Sequence, residues 1–162
     1  MLDDLDQLVA AAISAVFGTM LNVPVLREAP GAPITNGEAH VAGSVGFIGA
    51  ISGVVFVYSS ASFAQRVTRG LLGMKDAEPA IEMVNDAVGE ITNMVVGNIK
   101  SRLSDRGMDC MLTIPSIVRG SHFTIEPTTS TERRVCLFRC EGQQVVVEVL
   151  LRQTRTANSF AK

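Results

Sequence analysis

The chain has 162 residues, of which 47% are hydrophobic and 19% are charged, and its formal net charge is -2. This length can bury one core and does not need a second, so we expect one domain over residues 1–156 and a frayed tail over 157–162. Both signs of charge are mixed along the chain, which disfavours nucleic acid and anionic membranes as partners.

The first predicted element is an amphipathic helix over residues 3–20. Its apolar residues recur three or four positions apart: Leu5, Leu8, Val9, Ala12, Ile13, Val16, Phe17 and Met20. The acidic start suits the positive end of a helix and is unlike the basic start of a signal peptide. We expect this helix to pack on the core, with docking on a partner as the alternative. No transmembrane span follows it, so we expect no membrane insertion.

A proline-rich stretch over 22–36 predicts a short strand and a loop. Residues 40–47 and 51–59 then predict two strands that meet in a hairpin around Gly49 and Ala50. The glycines of this hairpin lack the spacing of a nucleotide-binding loop, GxGxxG or GK[ST]. Glycines in strands commonly mark bulges or close packing of a helix on the sheet, and we expect that use here.

Two further helices are predicted. Ser60 can cap a short helix that ends at Leu72, before Gly73. A long helix follows, with Pro79 in its first turn, and it continues to about Asp105 and stops at Gly107. Its apolar residues form one stripe that must face the core: Ile81, Val84, Val88, Ile91, Val95 and Ile99.

The last third of the chain predicts four strands, over 110–118, 123–126, 133–140 and 145–153, of which the last two form a hairpin at Glu141 and Gly142. The order of elements therefore predicts an α+β fold, in which long helices pack on one face of an antiparallel sheet.

The cysteines and histidines do not indicate a metal site. Cys110, Cys136 and Cys140 include no CxxC pair, and the two histidines, His40 and His122, are far apart. An odd number of cysteines without a disulfide framework fits the reducing cytoplasm, so we expect small buried thiols rather than ligands.

The long helix also carries polar residues opposite its apolar stripe. Asp86, Glu90, Asn93 and Gly97 fall within about 60° of one another, because each is three or four positions from the next. Glycine costs roughly 1 kcal/mol inside a helix, yet Gly97 would leave the backbone open to close approach. Met83 and Met94 lie near the edge of this face. The pattern fits either a solvated face with an i, i+3 hydrogen bond or a docking surface.

The run over residues 86–100 resembles the signature helix of the CheX and CheC chemotaxis phosphatases. The matching features are the spacing of Asp86, Glu90 and Asn93, the flanking Met94, Val95, Gly97, Asn98 and Lys100, and Pro115 about twenty residues later. The predicted α+β order is similar to that of the same family. CheC-type members carry a second Glu-x-x-Asn on the first helix, and this chain does not, so the single-site CheX type is the better match.

The resemblance implies hydrolysis of the aspartyl phosphate on a CheY-like response-regulator receiver. It implies that Asn93 orients the attacking water and that Glu90 pairs with a Lys of the receiver. Partner contacts would come from four neighbours on the helix: Asp86, Met94, Gly97 and Lys100. Asp86 and Lys100 are also explained as solvated charges. No cofactor of its own is implied, because the receiver supplies Mg²⁺.

Pro115 would mark a sheet edge or a bulge. CheX-type proteins form dimers through a continued sheet, so the resemblance also implies a homodimer. Two alternatives to a phosphatase stay open: a non-catalytic module, either receiver-binding or related to the flagellar switch proteins FliM and FliN, and a dimer domain that serves another partner.

Overall fold

The computed structural model describes residues 4–34, 37–128 and 131–152. The predicted tail over 157–162 and the last residue of the predicted strand over 145–153 lie outside these ranges. The helices are α1 (Leu5–Ile13), continued by a π-helix (Ser14–Met20), α2 (Ala61–Leu72) and α3 (Ile81–Ser104). The strands are β1 (Val25–Arg27), β2 (His40–Gly49), β3 (Ser52–Ser60), β4 (Cys110–Leu112), β5 (Ser116–Gly120), β6 (Thr131–Cys140) and β7 (Gln143–Arg152).

The strands form one antiparallel sheet in the order β1-β6-β7-β3-β2-β4, and β5 also pairs with β2. The main core lies between the helices and one face of this sheet, where Val45, Val55 and Val147 contact buried side chains of α1 and α3. The predicted α+β architecture, with long helices on one face of an antiparallel sheet, is therefore confirmed.

The opposite face of the sheet holds an ion pair in which the acidic side chain is buried. The Glu148 side chain is only 2% exposed, and it accepts hydrogen bonds from the Tyr58 hydroxyl at 2.7 Å and the Arg133 guanidinium at 3.1 Å. Phe123 lies edge-on to the Tyr58 ring, with 5.5 Å between centroids. The predicted strand over 123–126 is wrong, because Phe123 and Ile125 alternate in order to cover this face, and their backbone is a loop.

The first helix departs from its prediction near its end. The hydrogen bond from Leu21 N–H to the Val16 carbonyl, at 2.9 Å, spans five residues and belongs to the π-helix. This wider turn shifts the phase of the apolar stripe. Met20 is consequently 62% exposed, whereas Val16 and Phe17 are buried as predicted.

The caps of α2 are those predicted. The Ser60 hydroxyl accepts from the Phe63 N–H at 3.2 Å, and Gly73 ends the helix with φ +65°. For α3 the predicted start is wrong. The helix begins at Ile81 after an extended Ala80, so Pro79 precedes its first turn. The predicted apolar stripe is wrong at its first residue, because Ile81 is 61% exposed. The buried cluster of α3 with the sheet begins one turn later, at Val84.

Candidate functional site

Helix α3 turns its apolar stripe to the core and its polar residues outward. Of the predicted stripe, Val84, Ile91, Val95 and Ile99 are buried and Val88 is half-buried. On the other side, Asp86 and Glu90 are exposed, and Asn93 and Gly97 are half-exposed. We call these last four residues the polar strip. Because one rigid helix holds them, their relative positions are fixed before any partner arrives.

The hydrogen bonds of α3 side chains are made by residues outside the polar strip. Thr92 Oγ1 donates to the Val88 carbonyl at 2.7 Å, and Arg102 Nε donates to Asn98 Oδ1 at 2.8 Å. The ion pairs among the described residues lie elsewhere in the fold. Among the described residues, the Glu90 carboxylate and the Asn93 amide have no protein partner. The i, i+3 hydrogen bond considered for this face is therefore not formed, and both groups are available to a partner.

Two glycines of α3 have different surroundings. A Cβ placed on Gly97 would meet nothing within 4 Å, so the backbone there is open to solvent and to a partner. A Cβ on Gly89 would lie 3.5 Å from the Pro115 Cβ, and Gly89 is buried. Sequence reasoning identified the open glycine and passed over the covered one.

A bulge in the edge of the sheet brings Pro115 to α3. The register of β4, with Leu112 opposite Phe47, continues to Thr113 opposite Gly46, whereas the register of β5, with Ser116 opposite Ser44, places Ile114 opposite the same glycine. The edge strand therefore contains one extra residue. This bulge divides the predicted strand over 110–118 and agrees with the prediction that Pro115 marks an edge or a bulge.

The bulge is held by paired hydrogen bonds. Thr113 N–H donates to the Gly46 carbonyl at 2.9 Å, and Gly46 N–H donates to Thr113 Oγ1 at 2.9 Å. Beyond the bulge, Arg119 Nε donates to Asn85 Oδ1 at 2.7 Å and joins β5 to the first half of α3. The polar strip is thus flanked along one side by a fixed sheet edge.

The remaining predicted partner residues lie around the strip. Met94 is half-buried and packs against the main core, while Met83 is 45% exposed. Lys100 is half-exposed and lies close enough to Cys110 that its positive charge lowers the pKa of that thiol, although burial raises the same pKa by more.

The cysteines are buried, as predicted. Burial is the main cause that raises the pKa of Cys136 to about 12 and that of Cys140 to about 11. Such thiols are poor nucleophiles and poor ligands. Among the residues that the structure describes, no cluster of three or more His, Cys, Asp or Glu could hold a metal ion. None of the described helices is long and apolar enough to span a bilayer.

The chemistry that this surface can offer follows from its two unpartnered groups. A carboxamide donates and accepts hydrogen bonds without changing charge, so Asn93 can orient a water molecule next to an anion. A carboxylate forms charge-assisted hydrogen bonds with a cationic side chain, which suits Glu90 to fix the position of a partner. Because Glu90 is exposed and Asn93 is half-exposed, both groups can be reached from outside the fold.

The chain is similar in sequence and fold to chemotaxis proteins named CheX. The family model described as chemotaxis phosphatase CheX matches residues 41–139, more than half of the chain. CheY-P phosphatase CheX of Thermotoga maritima is 26% identical over 124 residues, which are 74% of this chain and 80% of that protein. The crystal structure of a chemotaxis protein CheX from Desulfovibrio desulfuricans is 28% identical with a TM-score of 0.77, and the match covers 90% of this chain and 97% of the other.

A third comparison concerns the fold alone. The CheX-CheY-BeF3-Mg²⁺ complex from Borrelia burgdorferi matches with a TM-score of 0.71 at 21% identity, over 91% of this chain and 97% of the other.

Proposed function

The chain belongs to the CheX family of chemotaxis phosphatases, as its long helix indicated, and on that basis we propose that it dephosphorylates the aspartyl phosphate of a CheY-like response-regulator receiver. It would act in two-component signalling in the cytoplasm. The observation that carries this proposal is the polar strip, where Glu90 and Asn93 lie three residues apart on a solvent-facing helix and have no partner among the described residues.

In the proposed reaction, Asn93 enters the receiver's phosphorylation site. Its amide holds a water molecule in line with the phosphorus atom and the aspartyl oxygen. The water oxygen forms a bond to phosphorus while the bond from phosphorus to the aspartyl oxygen breaks, so the products are inorganic phosphate and the free carboxylate. Positioning the nucleophile in this way contributes about 10² or more to the rate. A neutral amide suits the role because it adds no repulsion beside a phosphoryl dianion.

Glu90 has a different role in this proposal, because its carboxylate pairs with a receiver Lys and fixes the register of docking. Four other residues of α3 complete the contact. Gly97 admits a receiver segment to the helix backbone, Met94 adds apolar area at the edge, and Asp86 and Lys100 supply charges at the periphery. The Mg²⁺ belongs to the receiver, in keeping with the composition of the Borrelia burgdorferi complex.

We also propose that the chain forms a homodimer through a sheet edge. Edge strands have unpaired backbone groups, which can continue a sheet into a second copy. In this fold the sheet ends with β1 on one side and with β4 and β5 on the other. The molar mass in solution, measured by light scattering, tests this proposal. Twice the mass of the chain is expected, and the mass of one chain at micromolar concentration would contradict the proposal.

The test of the activity is turnover. A CheY-like receiver encoded in the same genome is phosphorylated, and phosphate loss is followed with the protein at about one hundredth of the receiver concentration. Many receivers should be dephosphorylated by each copy of the protein. If phosphate loss is no faster than from the receiver alone, while the protein still binds the BeF3⁻ form, the chain is a non-catalytic receiver-binding module.

A further inference from the structure

The bulge described above has an apolar side chain at its centre. Ile114 is 85% exposed, more than any other large hydrophobic residue that the structure describes. A regular strand over residues 110–118 would not have placed two successive residues opposite Gly46. Bulges re-aim side chains and are frequent at sheet edges beside functional sites, so this one can serve to direct Ile114.

The conformation of the bulge is fixed from both sides. Thr113 is held by its two hydrogen bonds to Gly46, and a Cβ on Gly46 would lie only 3.2 Å from the Thr113 side chain. Pro115 has a fixed φ and restricts Ile114 to an extended backbone. A rigid segment loses little entropy when it binds a partner, so an exposed apolar side chain on it is a favourable anchor.

The bulge is continuous with the polar strip. Pro115 packs on Gly89, which precedes Glu90 and lies one turn before Asn93 on the same side of α3. The bulge therefore lies beside the turn of α3 that carries Glu90 and Asn93, next to the surface that a protein covering them would use. An apolar anchor next to charged and amide groups is the usual anatomy of an interface hot spot and its polar rim.

We propose that Ile114 is a docking anchor that inserts into an apolar recess of the receiver, beside the phosphorylated aspartate. This inference depends on the proposed function and adds a residue outside α3 to the receiver-binding surface. Because Ile114 would contact the receiver without touching the reacting atoms, it should determine affinity and the choice of receiver, while Asn93 determines the chemical step.

The experiment compares Ile114→Ser with Met111→Ser. Met111 is a matched control because it lies on the same edge, is 77% exposed, and pairs across the sheet with Ile48, another exposed apolar residue, rather than with the strip. For Ile114→Ser we expect KM for the phosphorylated receiver to rise roughly tenfold or more, because the variant no longer buries an apolar isoleucine side chain when the receiver docks. The kcat should stay within about twofold, and Met111→Ser should match wild type in both constants.

Binding to the BeF3⁻-Mg²⁺ form of the receiver, measured by calorimetry, should weaken by the same factor for Ile114→Ser alone. The inference is overturned if wild type is active and Ile114→Ser has an unchanged KM. It is also overturned if Ile114→Ser and Met111→Ser both dissociate a homodimer, because Ile114 would then contact a second copy. An inactive wild type would instead overturn the proposed function.

Discussion

The buried Thr92 side chain of α3 occupies the space that a side chain at Gly43 of β2 would need. Its hydroxyl also donates to the Val88 carbonyl at 2.7 Å, so Thr92 cannot rotate away without losing that bond. This contact allows α3 to lie directly on the sheet at the turn that carries Glu90 and Asn93. The orientation of the polar strip therefore depends on a glycine in a neighbouring strand.

We predict that Gly43→Ala destabilises the fold by about 1–3 kcal/mol, because the new methyl group overlaps Thr92 and forces α3 from the sheet. Urea denaturation measures the effect. Gly70→Ala is the control, since Gly70 lies in α2 with nothing within 4 Å of an added Cβ, and it should be neutral or stabilising. Equal stability of the two variants would show that the close contact is unimportant.

For Gly97→Ala we predict opposite effects on stability and activity. Alanine favours a helix by about 1 kcal/mol over glycine, and the space beside Gly97 is open, so the melting temperature should rise by about 2–4 °C. If a receiver segment approaches the backbone there, kcat/KM should fall by about tenfold. Gly70→Ala, which should be neutral or stabilising, should keep full activity. A stabilised Gly97→Ala with full activity would remove Gly97 from the proposed surface.

Glu90→Gln tests the proposed charge pairing, because it keeps the size of the side chain and removes its charge. We predict a several-fold rise in KM for the phosphorylated receiver and a smaller change in kcat. Raising the salt from about 50 mM to about 500 mM should weaken wild type more than the variant, since ions screen an exposed pair. Glu78→Gln, an exposed residue before α3, is the control. Equal salt dependence of wild type and Glu90→Gln would contradict the pairing.

The buried thiols predict a loss of stability at alkaline pH. In the unfolded chain a cysteine ionises near its ordinary pKa of 9.0, whereas in the fold burial raises the pKa of Cys136 to about 12 and that of Cys140 to about 11. Above pH 9 the unfolded state therefore binds fewer protons than the folded state. The contribution of these two thiols to the free energy of unfolding is therefore complete below pH 9 and falls between about pH 9 and 12.

The urea midpoint, measured from pH 7 to 11, checks this prediction. The midpoint should decline above pH 9. For Cys136→Ala it should decline less steeply than for wild type, because a buried thiol with a raised pKa has been removed. Parallel pH profiles for the two proteins would contradict the assignment.

The local signals in the sequence were sufficient for most elements and for the composition of the polar strip. Periodicity alone separates Val84, Ile91 and Val95, which the structure buries, from Asp86 and Glu90, which it exposes. The cap at Ser60 and the stop at Gly73 are also local, because each depends on backbone groups within a few residues.

What could not be predicted depends on distant partners. The bulge at Ile114 exists because β4 and β5 pair with the same strand in registers that differ by one residue, and no local pattern encodes that difference. Pro115 predicted an edge or a bulge in this segment, but not which residue the bulge would expose. The alternation of Phe123 and Ile125 was likewise ambiguous, since a loop that covers a sheet face can show the period of a strand.

The proposed role of Asn93 is tested by single-turnover dephosphorylation with Asn93→Ala and with wild type, together with the binding of each to the BeF3⁻-Mg²⁺ form of the receiver. For Asn93→Ala we predict that the rate falls by about 10² or more while the dissociation constant changes by less than about threefold, because the amide orients water and contributes little to docking. A variant that binds equally well and hydrolyses at the wild-type rate would contradict the central role of Asn93.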